Sequence, residues 1–288
     1  TVSLRSVSAQ GVTPVALALL LLIGAPSSSA QQLFKYQDAN GVWVFTDRQP
    51  AAAQAYEART LQRSFELPEV RVFQRAGSLD VALIAQNTYY APVQLAYRLM
   101  KRQNVADGAP RDGITVLPPR SETQLLAVGK AISSADLSFD YDFKFLPGDP
   151  AAEHRPTEPY RLPYALASAA RVSQAYPDTV THADPSSHHA IDFVLPVGTQ
   201  VFAARAGIVI EVASEFYESG TNARVDGPRA NFVRVLHGDG TMALYGHLNW
   251  NSIRVRPGQR VLLRGGNSIG MALAWLAAML VFRYWGLV

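Results

Sequence analysis

Cysteine is absent from all 288 residues. That excludes disulfides and thiolate metal sites, so any bound zinc must be held by His, Asp or Glu. The absence leaves the compartment open. Charge is also sparse: 17% of residues are Asp, Glu, Lys or Arg. No stripe of basic and aromatic residues runs through the chain, which argues against nucleic acid as a partner. Long apolar runs are confined to the two ends. Histidine is scarce, with six in the chain, and none follows His247.

What is present describes a folding chain. Hydrophobic residues make up 48% of it, and the net charge is a mild +3. That charge suits approach to an anionic cell wall or membrane surface, and equally an ordinary protein surface. The length allows two domains, or one with smaller attachments.

At the N-terminus Arg5 is the only charge before the apolar run Val15–Ile23. Gly24, Pro26 and the small-residue stretch Ser28-Ser29-Ala30 follow. A positive start, an apolar centre and a small-x-small end predict a secretory signal peptide over residues 1–30. The apolar run is short for a membrane span. The expected location is therefore periplasmic or secreted.

Residues 31–60 form a second segment. Asn40-Gly41 separates Leu33–Asp38 from Val42–Asp47, both rich in aromatics, and predicts a β-hairpin. The stretch resembles a small domain of unknown function found behind the signal peptide of Gram-negative envelope proteins. Read without chemistry, it is a two-stranded ribbon. Residues 51–63, rich in Ala, Gln and Glu, suit a short helix or a linker.

From residue 65 to 150 the period is two. Phe139, Tyr141, Phe143 and Phe145 alternate with Asp140, Asp142 and Lys144, which predicts half-buried strands. Turn signals at Asp107-Gly108, Asp112-Gly113 and Pro118-Pro119 divide them. The expectation is a β-sandwich-like domain without catalytic residues. A proline-rich stretch around Pro147–Pro163 marks its end.

Five of the six histidines lie between His182 and His247. The same region carries short apolar runs with turns at Pro196-Val197-Gly198-Thr199, His237-Gly238-Asp239-Gly240 and Pro257-Gly258. Closely spaced hairpins predict another all-β domain, over residues 165–270. His and Asp together are zinc ligands, and a further histidine beside them can move a proton.

Residues 173–270 resemble the lysostaphin-type (LytM-like) zinc endopeptidases, which cut peptide bridges in bacterial peptidoglycan. The pieces that carry the resemblance come in the family's order: a His followed by Asp192-Phe193, then Pro196–Val201, Ala203–Val209, Asn231-Phe232-Val233, His237–Thr241, Tyr245-Gly246-His247-Leu248 and Val255–Val261. The resemblance implies zinc as cofactor, peptidoglycan as substrate and a Gram-negative envelope setting. It makes Asp192 a metal ligand and His247 a catalytic histidine that stabilises the oxyanion or passes protons. For the first metal histidine two candidates stay open. His188 has the short His-x-x-x-Asp spacing. His182 matches long-looped members, and is favoured slightly because the position of His188 need not be histidine in that form. His189 is read as a polar edge residue, and His237 as structural or solvent-facing.

The family closes on a Gly/Ser/Thr-rich loop and a His-x-His that supplies the third ligand and a catalytic histidine. This sequence instead runs into an apolar tail, residues 271–288. Three readings of the tail stay open: a shifted reading frame, a degenerate non-catalytic relative, or a membrane anchor giving membrane contact. The function expected is a zinc metalloendopeptidase acting on peptidoglycan cross-links, truncated or inactive as written. The alternative is a non-catalytic wall-binding protein or the activator of a partner cell-wall hydrolase.

Overall fold

The computed structural model describes residues 5–7, 31–46, 49–51, 54–61, 65–165, 170–177, 182, 187–216, 230–262, 268–271 and 275–278. Every regular element among them is a strand, as expected of an all-β chain. The chain divides into two compact units, one built on Pro68–Ala152 and the other on Gly24–Leu67 with Glu153–Arg283. Of the expected signal peptide only β1 (Arg5–Val7) is described, in register with Tyr141–Phe143. The rest lies outside the described residues.

The hairpin at Asn40-Gly41 forms between β2 (Gln31–Gln37) and β3 (Trp43–Thr46). Asp38 closes the turn, its Oδ1 accepting from the backbone N–H groups of Asn40 and Val42 at 2.9 Å each. Gly41 sits at φ +76°, where a side chain would be strained. Two expectations are corrected here. The ribbon has a third strand, and residues 57–61 are not helical. β4 (Glu57–Leu61) pairs with the other edge of β2. Helix propensity separates residues by only a few tenths of a kcal/mol. Pairing with β2 satisfies the segment's backbone, places Tyr56 edge-on to the buried Phe34 at 5.3 Å, and sets Lys35 3.7 Å from Glu57.

The middle domain is two sheets. One is β5 (Val70–Ala76), β6 (Asp80–Asn87) and β9 (Ser121–Gly129), in that order. The other runs β1, β10 (Ser138–Pro147), β7 (Val93–Gln103), β8 (Asp112–Leu117). The predicted alternation is real: Phe139, Tyr141 and Phe143 are buried, as are Leu83, Val93, Leu95, Leu117 and Val128 of the same domain. Tyr141 also ties the two sheets together, donating its hydroxyl to Val72 O at 2.7 Å.

The C-terminal domain is built on a sheet of seven strands. In order these are β11 (Arg171–Gln174), β12 (Ile191–Val194), β19 (Trp275–Ala278), β16 (Met242–Tyr245), β15 (Phe232–Leu236), β14 (Gly207–Ala213) and β17 (Arg260–Val261). β13 (Gln200–Val201) and β18 (Gly270–Met271) pair separately. Phe193, Val209, Val212, Val233, Val235, Tyr245 and Leu248 belong to one core cluster. Gly207 must be glycine, because a Cβ there would run into Leu236 O and Val235 Cγ1 on the neighbouring strand.

The apolar tail gains a structural place in this sheet. Trp275–Ala278 is a strand between β12 and β16, with Ala277 opposite Asp192 and Ala278 opposite both Ile191 and Tyr245. Among the described residues no helix is long and apolar enough to cross a membrane.

Candidate metal centre

β12 presents the site. Side chains alternate along a strand, so Ile191 and Phe193 pack against the core and Asp192 faces the other way. Its neighbours in register are Gln174 on β11 and Ala277 on β19. His182 reaches Asp192 from the loop upstream: His182 Nε2 is 3.3 Å from Asp192 Oδ2. Both side chains are largely withdrawn from water, and His182 Nδ1 and Asp192 Oδ1 are buried with no hydrogen-bond partner. Burial pushes the Asp192 carboxyl above its ordinary pKa, and the nearby His182 and His247 pull it part of the way back.

His247 follows the end of β16 at φ 53°, in the left-handed region. The buried Asn231 holds the turn. Its Nδ2 donates to Leu248 O at 3.1 Å and Phe216 O at 2.7 Å, and its Oδ1 accepts from Phe216 N at 2.9 Å. Leu248 N returns to Asn231 O at 3.1 Å. His247 is exposed. The protein packed around its ring nevertheless lowers the imidazole pKa, against the attraction of Asp192.

The other histidines go elsewhere. Ala190 N bonds Ser187 O at 2.8 Å, closing a turn that carries His188 and His189 into β12. Their rings pack on Tyr176, at 5.1 and 5.0 Å between centroids, and on each other at 5.1 Å. No ion pair joins His188 to Asp192 among the described residues. His237 is structural, and the solvent-facing alternative is corrected. It is 3% exposed, and its Nδ1 lies 2.8 Å from Ala206 O. Its turn folds inward because Asp239 is held there by Arg205 Nη1 at 2.8 Å, Thr241 Oγ1 at 2.6 Å and Arg155 N at 2.9 Å.

The sequence gives Asn231 only as the start of the Asn231-Phe232-Val233 piece of the resemblance, with no role. A lone amide before the apolar Phe232–Leu236 run was the available signal, since a buried polar side chain needs partners. Arg205 and Asp239 were likewise missed, being far apart in sequence. Among the described residues no three His, Asp, Glu or Cys groups converge to hold a metal ion.

Two family models match by sequence. Residues 186–274 match Peptidase family M23, a span that includes His188, Asp192 and His247 and begins after His182. Residues 20–64 match a domain of unknown function, DUF4124. No curated protein matches the chain. Several solved structures are similar, among them two peptidases. One is a zinc-containing peptidase from Vibrio cholerae, 13% identical, with TM-score 0.30, the match covering 85% of this chain and 80% of that one. The other is described as a peptidase M23 from Pseudomonas aeruginosa, 16% identical, with TM-score 0.27, covering 86% of this chain and 80% of that one. By sequence, then, residues 186–274 are similar to peptidase family M23, and residues 20–64, ahead of them, to the domain of unknown function DUF4124.

Proposed function

We propose that this chain is a zinc endopeptidase of the bacterial envelope by descent, directed at the peptide cross-links of peptidoglycan, whose zinc centre is incomplete in the sequence as written. The observation that carries the reading is the pair His182–Asp192 on the M23 domain, with His247 close enough to act on the same carboxylate. A periplasmic or secreted location goes with it, supported by the leader-like composition of residues 1–30.

The donors fit half of a zinc site. Ligand bonds of about 2.0–2.1 Å in a tetrahedron set neighbouring donor atoms about 3.3–3.4 Å apart. His182 Nε2 and Asp192 Oδ2 are separated by 3.3 Å. Buried and otherwise unsatisfied donor atoms on the same two residues agree with a ligand role. The other half does not fit. Structural sites use four protein ligands and catalytic sites three plus water, and the described residues bring two together. After His247 the sequence contains no His, Asp, Glu or Cys. The strand in register with Asp192 reads Trp-Leu-Ala-Ala. No hydrolytic step is therefore assigned to this chain.

That deficit favours a second reading, a non-catalytic wall-binding protein or the activator of a partner hydrolase. One experiment separates the two. Purified full chain is incubated with peptidoglycan sacculi, with and without added zinc, and both pelleted protein and released peptides are measured. Binding without release is expected. Peptide release abolished by Asp192→Ala would establish the catalytic reading, and absence from the pellet would remove the wall-directed one.

A further inference from the structure

The middle domain, expected to lack catalytic residues, has a built groove of about 720 Å³ at the end of the β7–β8 hairpin. That size is in the range of small-molecule sites. Leu99, Lys101, Arg102, Asn104, Asp107 and Arg111 are among its lining residues.

The groove is held in shape from both sides. Asn104 donates from Nδ2 to Ile132 O and Ala135 O at 2.8 Å each, and its Oδ1 accepts from Ile132 N at 2.7 Å. Ala106 N bonds Gly129 O at 2.9 Å, and Leu99 N bonds Arg111 O at 2.6 Å. Lys101 and Asn104 sit at φ 45° and 50°. Two residues held in the left-handed region cost free energy that the surrounding bonds must offset, a pattern that clusters where a fixed loop shape is used.

The charges do not balance inside it. Lys101 is neutralised by Asp140 at 2.8 Å. Arg102 spends one Nη2 contact on Ala109 O at 3.2 Å, and its Nε is buried with no partner. Arg111 makes no side-chain hydrogen bond or ion pair among the described residues. Against these two guanidinium groups stands one lining acid, Asp107. The remainder is a single positive charge presented by two planar forks, the geometry that takes a carboxylate in paired hydrogen bonds. A dianion or polyanion would exceed that charge. A lone small anion would leave most of the volume empty, whereas the mostly polar lining can hydrogen-bond the amides of whatever chain follows the carboxylate.

We infer that this groove binds the carboxylate end of a peptide, with Arg102 and Arg111 as its anion-holding residues. The test uses the full chain and the probe diacetyl-L-Lys-D-Ala-D-Ala, beside the same peptide with its C-terminus amidated, by titration calorimetry in low salt. Saturable binding of the acid is expected, at least tenfold weaker for the amide and for Arg111→Gln, an exposed position whose replacement leaves the fold intact. Arg102→Gln should weaken it further. Equal binding of acid and amide, unchanged binding by Arg111→Gln, no binding of the acid, or displacement by equimolar inorganic phosphate would each overturn the inference. The readout is binding alone, with no zinc and no hydrolysis, so failure here is distinct from failure of the peptidase reading.

Discussion

His182 Nε2 stands 3.3 Å from Asp192 Oδ2, with the second nitrogen of the ring and the second oxygen of the carboxyl both buried and unpaired. His188, four residues before Asp192 in the chain, packs instead on Tyr176. The pairing makes a prediction about metal. Two protein donors hold zinc far more loosely than three or four, so protein dialysed against metal-free buffer should retain well under one zinc per chain by elemental analysis. With cobalt(II) as a spectroscopic probe, His182→Ala should abolish the residual d–d absorption and His188→Ala should leave it in place. Tightly held, stoichiometric zinc would show that a further ligand exists.

Asn231 ties Leu248, the residue after His247, to Phe216, and four hydrogen bonds pass through it. Asn231→Ala removes the three made by the amide and leaves Phe216 O, Phe216 N and Leu248 O to find other partners. Orphaned buried groups cost about 1–3 kcal/mol each before relaxation. A loss of about 2–4 kcal/mol is expected for the C-terminal domain, read from the urea transition of tryptophan fluorescence. Asn231→Asp, which keeps only the acceptor, should fall between the two.

Much of this architecture was legible because it rests on short-range signals. Asn40-Gly41 made its hairpin, and Phe139, Tyr141 and Phe143 went inside while Asp140, Asp142 and Lys144 did not. Pro196–Thr199 closed a turn with Gly198 at φ 84°. What failed depended on distant partners. Residues 57–61 have helix-compatible composition and became a strand because β2 had a free edge. Trp275–Ala278 reads as a plain apolar run, and a four-residue apolar run does not reveal which strands it will separate. His237 follows the same rule: its turn is polar in sequence, but Arg205, thirty-two residues upstream, draws Asp239 inward and takes the histidine with it. The first metal histidine was undecided for a related reason, since spacing constrains reach and leaves burial open.

Tyr141 offers a test of the middle domain. Its hydroxyl joins β10 to Val72 on the opposite sheet at 2.7 Å, and burial raises its pKa. Tyr141→Phe keeps the ring and leaves Val72 O without that donor. The expected loss is about 1–2 kcal/mol, seen as a lower urea midpoint by far-ultraviolet circular dichroism with an unchanged slope. A neutral result would mean that water replaces the hydroxyl.

The pH dependence of the C-terminal domain follows from His237 and Asp239. Burial lowers the His237 pKa, the hydrogen bond to Ala206 O opposes it, and Arg205 reinforces it. The folded state thus favours neutral imidazole. Its contribution is complete above the unfolded histidine pKa of about 6.5, and is lost as pH falls below that value toward the folded pKa. Burial raises the Asp239 carboxyl, but hydrogen bonds from Thr241, Arg205 and the backbone of Arg155 outweigh it and hold the pKa well below the carboxylate range. That contribution is complete above the unfolded aspartate pKa of about 3.9 and is lost below it. Stability should therefore decline in two stages on acidification, one beginning below about pH 6.5 and a second below about pH 4. Thermal midpoints measured from pH 8 to pH 3 would resolve them. His237→Gln should flatten the first stage and leave the second. Asp239→Asn should do the reverse, at a cost at neutral pH because Arg205 would be left buried without its counter-charge.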